Sequence, residues 1–239
     1  MMKKNSNLNA SLVISTYNWA EALQLVLKSV LNQNVMPIEI IIADDGSTKA
    51  TKNRIDTFRS KFSIPIHHIW QADKGFRKSM IINKAIASAK GNYIIQVDGD
   101  CIMHRSFIKD HLRYAKKGLY LSGSRVSLKK PYLKSLFNDQ KIKFNALSKG
   151  LKKRGRALHL PILSSFYKES KDFNRKNRGC NMSYMLEDFI AVNGYNEDFE
   201  GWGREDSELG RRFHNYGLLN PLLFTSKSQF DQILLDTNL

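Results

Sequence analysis

Cysteine is scarce in this chain of 239 residues. The two that are present, Cys101 and Cys180, lie far apart, and neither belongs to a C-x-x-C motif. We therefore expect two free thiols in a protein of the reducing cytoplasm.

Long apolar runs are also missing. No segment approaches the roughly 18 consecutive apolar residues that a membrane-spanning helix needs. The N-terminal sequence MMKKNSNLNASLVIS contains lysines, but its apolar stretch is short, so it predicts a first β-strand rather than a signal peptide. Hydrophobic residues make up 42% of the chain and charged residues 25%, which is typical of a folded domain with a real core.

The common phosphate-binding and hydrolase motifs are absent too. No G-x-G-x-x-G follows a predicted strand, and G-x-x-x-x-G-K-[ST] does not occur, so dinucleotide-binding and P-loop classes are poorly supported. No nucleophile elbow suggests a Ser/His/Asp triad. The six histidines do not cluster at zinc-ligand spacings, and we expect the pair His67 and His68 to be structural.

Acidic residues are few relative to basic ones. The chain has 22 Asp and Glu against 38 Lys and Arg, a formal net charge of +16. Residues 127–178 alone hold fifteen Lys or Arg against three Asp or Glu. This segment is either a solvated basic surface or a contact for a polyanion, either nucleic acid or the anionic face of a membrane.

Apolar segments alternate with segments of helical periodicity through the first hundred residues. The apolar segments predict four strands, at 10–15, 38–43, 66–70 and 92–97. The periodic segments between them predict three helices, at 19–31, from Ser47 to about Lys61, and around 82–89. Asn18, in an N-x-x-E pattern with Glu21, is the expected cap of the first helix, and Ser47 of the second. This alternation predicts an α/β fold with a mostly parallel sheet flanked by helices.

Beyond the basic segment, the pattern continues with shorter elements. Residues 181–186 predict a strand, followed by a short helix that ends at Gly194 and a longer helix that ends at Gly217. Neither an internal repeat nor a low-complexity segment interrupts the chain, so we predict a single domain.

Polar residues follow three of the predicted strands directly. Ser15 and Tyr17 follow the first strand, Asp45 follows the second, and Asp98 and Asp100 follow the fourth. Because the carboxyl ends of parallel strands lie along one edge of an open sheet, these side chains are expected to meet where ligands bind.

The D-x-D pair Asp98 and Asp100 has the chemistry of a hard-cation site. Gly99 between them permits a turn that brings two carboxylates toward one point, and carboxylate oxygens suit Mg²⁺ or Mn²⁺. A tight Asp-Gly turn without a metal is the structural alternative. An EF-hand calcium loop is excluded because Ile102 and Met103 occupy the fifth and sixth positions.

The segment GWGREDSE, residues 201–208, combines an aromatic residue with adjacent acids. Glu205 and Asp206 begin a predicted helix, where the helix dipole alone would favour carboxylates. That explanation leaves Trp202, between two glycines, without a role. A flat indole can pack against the C–H face of a sugar, and a carboxylate beside it can accept a proton from a sugar hydroxyl.

Five segments together resemble the family 2 glycosyltransferases with the GT-A fold: SLVISTYN, IIIADDGS, DKGFRKSMIINKAI, YIIQVDGDC and GYNEDFEGWGREDSELGRR. The last is also similar to the carboxyl-terminal region of β-1,4-galactosyltransferases and of bacterial chondroitin-type polymerases. The match runs from about residue 10 to 217 and is weakest across 127–178.

The resemblance implies a GT-A-type Rossmann-like domain that transfers a sugar, with inversion, from a UDP-sugar to a glycan or glycolipid acceptor. It implies that residues 8–126 form a nucleotide-sugar-binding half, 127–179 a basic insertion, and 180–239 an acceptor-binding half. For the donor, it implies Ser15, Tyr17 and Asp45 at the uracil and ribose, with Asp73 and Arg77 in the nucleotide pocket. For the metal, it implies Asp100 as the ligand of Mn²⁺ or Mg²⁺, with Asp98 toward both the ribose and the metal. For the acceptor, it implies Asp206 as the general base, with Trp202 and Glu205 as contacts. Surface polysaccharide or lipopolysaccharide synthesis is the implied setting, with the basic segment facing an anionic membrane from the cytoplasm.

Two alternatives stay open. Relatives often supply a late histidine to the metal, whereas the last histidine here is His214, so an inactive nucleotide-sugar-binding relative is one alternative. A basic nucleic-acid-binding protein is the other, and it leaves the strand-end carboxylates unexplained because acids repel a phosphate backbone. We expect no nucleic-acid partner.

Overall fold

The computed structural model describes residues 8–123, 125–154, 169–170, 178–221 and 232–235. Its helices and strands run in an α/β order that matches the sequence prediction through β4. The strands are β1 Ala10–Thr16, β2 Glu39–Asp44, β3 Ile66–Trp70, β4 Tyr93–Asp98, β5 Cys101–Met103, β6 Leu121–Ser122, β7 Val126–Leu128, β8 Glu169–Ser170, β9 Asn181–Met185, β10 Asn220–Pro221 and β11 Gln232–Leu235. The helices are α1 Ala20–Leu31, α2 Lys49–Arg59, α3 Lys78–Ala87, α4 Phe107–Tyr114, α5 Leu133–Asp139, α6 Leu186–Ala191 and α7 Glu205–Asn215, with a 3-10 turn at Lys130–Tyr132.

Six strands form the central sheet in the order β3-β2-β1-β4-β9-β6. The first four run parallel, and β9 is antiparallel to both β4 and β6. This confirms the predicted mostly parallel sheet. Two small sheets flank it, β5-β11-β7 and β10-β8.

Alternate side chains of the central strands pack into two cores, one on each face of the sheet. Leu12 and Ile14 of β1 face a core that includes residues of α1, α2 and α4, whereas Val13 faces a core built with α3, α6 and α7. Because both faces are covered, the middles of β1, β2 and β4 are largely apolar on both faces rather than alternating. Among the described residues, no helix is both long and apolar enough to cross a membrane.

The two predicted helix caps are wrong. Trp19 precedes α1 and Thr48 precedes α2, and neither helix has a side-chain cap. Asn18 instead has a left-handed backbone (φ 45°), and its side-chain oxygen accepts a hydrogen bond from the Thr48 amide at 2.8 Å. In return the Asn18 amide donates to the Ser47 hydroxyl at 2.9 Å. These side chains therefore join the loops after β1 and β2 at the edge where the polar residues lie.

The described part of the basic segment, 127–154, packs against α1. Leu128, Leu136 and Leu151 are buried with Ala22 and Leu25 in a third apolar cluster. The segment between 155 and 177, except Glu169–Ser170, lies outside the described residues.

Candidate active site

The carboxyl ends of β1, β2 and β4 bring the predicted polar residues to one edge of the sheet. Ser15 lies opposite Asp98 in the strand register, and its hydroxyl donates to Asp98 Oδ1 at 2.8 Å. A cavity opens at this edge, and six of the predicted site residues line it: Ser15, Tyr17, Asp45, Asp98, Asp100 and Trp202.

Asp45 is fixed by two hydrogen bonds from the chain before α3. Gln71 donates to its Oδ1 at 2.6 Å, and the Arg77 backbone amide donates to its Oδ2 at 2.7 Å. The carboxylate is buried, yet it lines the cavity. The predicted residue Arg77 thus reaches the site through its backbone, because its guanidinium donates to the carbonyl of Ala72 instead.

Asp73 and Tyr17 form a pair at the mouth of the cavity. The Tyr17 hydroxyl donates to Asp73 Oδ2 at 2.8 Å, and this hydrogen bond raises the pKa of Tyr17. The backbone of Asp73 also packs closely on Gly46, where an added Cβ would lie 2.6 Å from it; Gly46 adopts φ 101°. Asp73 and Arg77 therefore contact the lining residues Tyr17 and Asp45 without lining the cavity themselves.

Lys78 is a site residue that the sequence analysis did not single out. Its ammonium lies 2.7 Å from Asp98 Oδ1, and both side chains are largely buried (15% and 22% exposed). Burial opposes the charge on Lys78, but the carboxylates of Asp98, Asp206 and Glu205 raise its pKa overall. Lys78 is thus electrostatically coupled to both the D-x-D pair and the acidic start of α7. Its only sequence signal is its place beside Arg77 in DKGFRKS.

Asp100 has the environment of a hard-cation ligand. Burial first, and then the neighbouring charge of Asp98, raise the pKa of Asp100 to about 6. The pKa of Asp98 shifts in the opposite direction. Burial by itself would raise this pKa, but the charge of Lys78 lowers it overall. A divalent cation between these carboxylates would relieve their repulsion, and both line the same cavity, so the residues fit Mn²⁺ or Mg²⁺.

Asp206 lies in the first turn of α7, held by a buried hydrogen-bond chain. Tyr184 donates to Gln96 Oε1 at 3.0 Å, Gln96 donates to the Tyr195 hydroxyl at 2.9 Å, and Tyr195 donates to Asp206 Oδ1 at 3.1 Å. Gly179 packs on the same carboxylate, since a Cβ there would lie 2.1 Å from Asp206 Oδ1. Asp206 is not among the residues that line the cavity. Its negative charge instead acts on Lys78, which does line the cavity.

The other two acids of α7 have different surroundings. Glu205 is buried, accepts a hydrogen bond from the Gly203 amide at 3.1 Å, and has a pKa raised by burial and by Asp206. Glu208 pairs with Arg212 one turn along the helix at 2.7 Å.

Trp202 stands at the rim of the cavity with 86% of its surface exposed. The glycines on either side, Gly201 and Gly203, have φ values of 91° and 115°, which favour glycine and place the indole on a tight loop. The Gly201 amide donates to the carbonyl of Phe76 at 3.2 Å, and Phe76 lines the same cavity.

Comparisons with known proteins agree with this geometry. Residues 11–168 match the family model described as glycosyl transferase family 2, and residues 161–220 match the model described as the N-terminal domain of galactosyltransferase. Both matches confirm the resemblance inferred from the sequence motifs.

Two curated relatives are identical to the chain at about a quarter of the aligned positions. Chondroitin synthase of Escherichia coli is 26% identical over 225 residues, covering 87% of this chain and 32% of the relative. Validoxylamine A glucosyltransferase of Streptomyces hygroscopicus subsp. limoneus is 26% identical over 236 residues, covering 87% and 48%. The chain thus spans half or less of the length of these relatives.

Two solved structures share the fold. The mannosyltransferase PcManGT from Pyrobaculum calidifontis, in complex with GDP-Man and Mn²⁺, aligns with a TM-score of 0.65 at 14% identity over 94% of this chain and 57% of its own. S. aureus TarS 1-349 in complex with UDP aligns with a TM-score of 0.63 at 15% identity, over 95% and 61%. Likenesses at this identity establish the GT-A-type fold alone.

Proposed function

Because the chain belongs to glycosyltransferase family 2, we propose that it moves a hexose or N-acetylhexosamine, with inversion, from a UDP-sugar to a hydroxyl of a glycan or glycolipid acceptor. The observation that carries this proposal is the position of Lys78. It couples the carboxylates at the end of β4 to those at the start of α7, so the candidate donor and acceptor residues share one electrostatic network.

The donor side of the proposal uses the lining of the cavity. Ser15, Tyr17 and Asp45 would hold the uracil and ribose, with Asp73 and Arg77 supporting them from behind through Tyr17 and Asp45. We propose residues 8–126 as the nucleotide-sugar-binding half. TarS, with the same fold, is described in complex with UDP.

Asp100, with Asp98, would hold Mn²⁺ or Mg²⁺ on the donor diphosphate. When bound, the cation supplies stabilisation of the negative charge on the departing UDP. The complex of PcManGT with GDP-Man and Mn²⁺ supports this proposal.

The acceptor side uses 180–239. Asp206 would accept the proton of the acceptor hydroxyl as that oxygen attacks the anomeric carbon opposite UDP. Its hydrogen bond from Tyr195 fixes the carboxylate before the acceptor arrives. Trp202 would pack on the acceptor sugar, and Glu205 would position it.

The biological setting proposed is bacterial surface polysaccharide or lipopolysaccharide synthesis. The similarity to a protein named chondroitin synthase supports a polysaccharide product. The two free thiols suit the cytoplasm, and the basic surface suits peripheral contact with an anionic membrane.

A donor screen that measures UDP release from a panel of UDP-sugars, with and without acceptor glycans, tests the proposal. We expect one or two UDP-sugars to release UDP, faster with Mn²⁺ than without. Calorimetric binding of UDP without any release would favour the inactive sugar-nucleotide binder. No UDP binding, together with tight nucleic-acid binding, would favour the basic nucleic-acid-binding protein and contradict the proposal.

A further inference from the structure

Two buried thiols lie close together just beyond the carboxyl end of β4, although 78 residues separate them in sequence. Cys101 follows Asp100 directly and begins β5, whereas Cys180 follows Gly179 and precedes β9. Both are free and almost fully buried. Their sulfurs and one carboxylate oxygen of Asp98 all lie within 4.8 Å of one another.

This set of donor atoms differs in kind from a pair of carboxylates. Zn²⁺ and Cd²⁺ bind well to a set of two thiolates and one carboxylate, whereas Mg²⁺ and Mn²⁺ prefer oxygen ligands alone. Ligand atoms on one tetrahedral zinc lie about 3.8 Å apart, given a zinc–sulfur bond of about 2.3 Å. Side-chain movements of about 1 Å would bring the three atoms to that spacing.

The charges around the thiols permit a cation there. Asp98 and Asp100 carry negative charge beside Lys78 and Arg125, whose guanidinium lies 3.3 Å from the Cys180 sulfur. When a divalent cation binds two thiols, each thiol gives up its proton, so two positive charges enter and two leave. The net charge of the buried cluster is therefore unchanged.

We propose that Asp98, Cys101 and Cys180 form a binding site for a soft divalent cation of the Zn²⁺ or Cd²⁺ class. This site differs in its ligands from the hard-cation site proposed at Asp98 and Asp100, although the two sites overlap. The two share Asp98, so a soft cation would draw that carboxylate away from Lys78. Binding of the soft cation does not depend on the proposed transferase activity.

Titration of the full chain with Cd²⁺ tests the site, because cadmium–thiolate bonds give a charge-transfer absorbance in the ultraviolet. We expect a band that saturates at one Cd²⁺ per chain. Cys101→Ser and Cys180→Ser should each weaken binding by at least about 100-fold, since even loss of an outer partner of a metal ligand costs about 10- to 100-fold. Asp98→Asn should weaken it by at least about tenfold, while the exposed carboxylate variant Glu187→Gln should not.

Native mass spectrometry of the unaltered chain gives a second measurement that needs no variant. One Cd²⁺ should add its mass less two protons. No band with excess Cd²⁺ on the folded chain, or an unchanged band in either serine variant, would overturn the site and leave the thiols as core packing. UDP binding, measured on the same samples, separates that result from a failure of the proposed transferase function.

Discussion

Asp206 is held by a hydrogen-bond chain of groups that stay protonated at neutral pH. Burial and the charge of Asp206 raise the pKa values of both Tyr184 and Tyr195 well above the ordinary value. The two phenols and Gln96 therefore act as fixed dipoles that orient one carboxylate oxygen. Within the part of the chain that the structure describes, the other oxygen accepts no hydrogen bond, which suits a base that must receive an acceptor hydroxyl.

The variant Asp206→Asn is expected to lose transfer while it still binds UDP. The amide keeps the size of the side chain but cannot accept the proton, and general-base catalysis is worth roughly 10²- to 10⁴-fold in rate. UDP release measures the first effect, and calorimetry with UDP measures the second. The control Glu208→Gln changes a carboxylate two residues away that pairs with Arg212, and it should keep most of the activity. Near-normal turnover of Asp206→Asn would contradict the assignment.

Lys78 is expected to matter for donor binding even when no metal is added. Without its charge, Asp98 and Asp100 would repel each other and a diphosphate more strongly. Lys78→Met should therefore weaken UDP binding by at least about tenfold in metal-free buffer, because removal of one partner leaves a largely buried charge unpaired. Lys74→Met, at an exposed position in the loop that precedes α3, is the matched control. Equal UDP affinities for the two variants would remove Lys78 from the donor site.

At the scale of elements, the loop 201–204 has the features of a contact surface rather than of a structural support. Its indole is mostly exposed, and its backbone is held by hydrogen bonds from the Gly201 amide to the Phe76 carbonyl and from the Gly203 amide to the Glu205 carboxylate. The loop leads directly into α7, whose first turn carries Glu205 and Asp206. A rigid helix thus fixes the candidate base, while the loop presents an aromatic face nearby.

Trp202→Ala is expected to raise the acceptor KM by about tenfold without lowering the melting temperature. Surface substitutions usually change stability by no more than about 0.5 kcal/mol, and this side chain is 86% exposed. Steady-state kinetics and thermal melts separate the two effects. Tyr216→Ala, 55% exposed at the far end of α7, should change neither quantity. A large loss of stability in Trp202→Ala would show that the indole supports the fold.

The elements themselves were predictable because their signals are local. β1 and β2 are continuous apolar runs, and the polar residues after them meet because parallel strands end at one edge. Asn18 and Ser47 were predicted wrongly because a cap pattern is also local, whereas their partners lie across the sheet edge. The link from Tyr195 through Gln96 to β9 was missed for the same reason: nothing in the sequence places residue 195 beside residue 96.

At the scale of the whole molecule, positive charge is concentrated in one segment of the chain, residues 127–178. The described part of the basic segment carries exposed lysines, and its apolar side chains pack against α1. A surface of this kind attracts anionic lipid by about 1 kcal/mol for each cation near the membrane.

Vesicle sedimentation tests that surface. The chain should bind vesicles that contain anionic lipid, bind neutral vesicles weakly, and be released by high salt. The double variant Lys141→Glu and Lys143→Glu should weaken binding by at least about tenfold. Lys49→Glu with Lys61→Glu, at the start of α2 and just beyond its end, makes the same change in net charge elsewhere. Equal losses in the two double variants would assign the effect to net charge alone.

His111 couples the stability of the whole fold to pH, because it joins α4 to the junction of β4 and β9. Its Nε2 donates to Asn181 Oδ1 at 3.2 Å, and its Nδ1 accepts from Ser183 at 2.7 Å, while Tyr93 donates to the same Ser183 hydroxyl at 2.6 Å. Burial lowers the pKa of His111 from 6.5 to about 3, against the opposing effect of its hydrogen bond to Asn181. The folded chain thus holds this imidazole neutral under conditions where the unfolded chain protonates it.

The free energy of unfolding should therefore fall as the pH drops below about 6.5 and continue to fall toward 3. This single group contributes a slope of at most about 1.4 kcal/mol per pH unit, because only the unfolded state binds the proton in that range. Urea unfolding at pH values from 7.5 to 4.5 measures the slope. His111→Gln should be less stable at pH 7.5, where its hydrogen bonds are altered, but its slope should be shallower than that of the unaltered chain. His214→Gln, at the end of α7, is the matched control, and a His111→Gln slope equal to that of the control would show that other groups set the acid sensitivity of the fold.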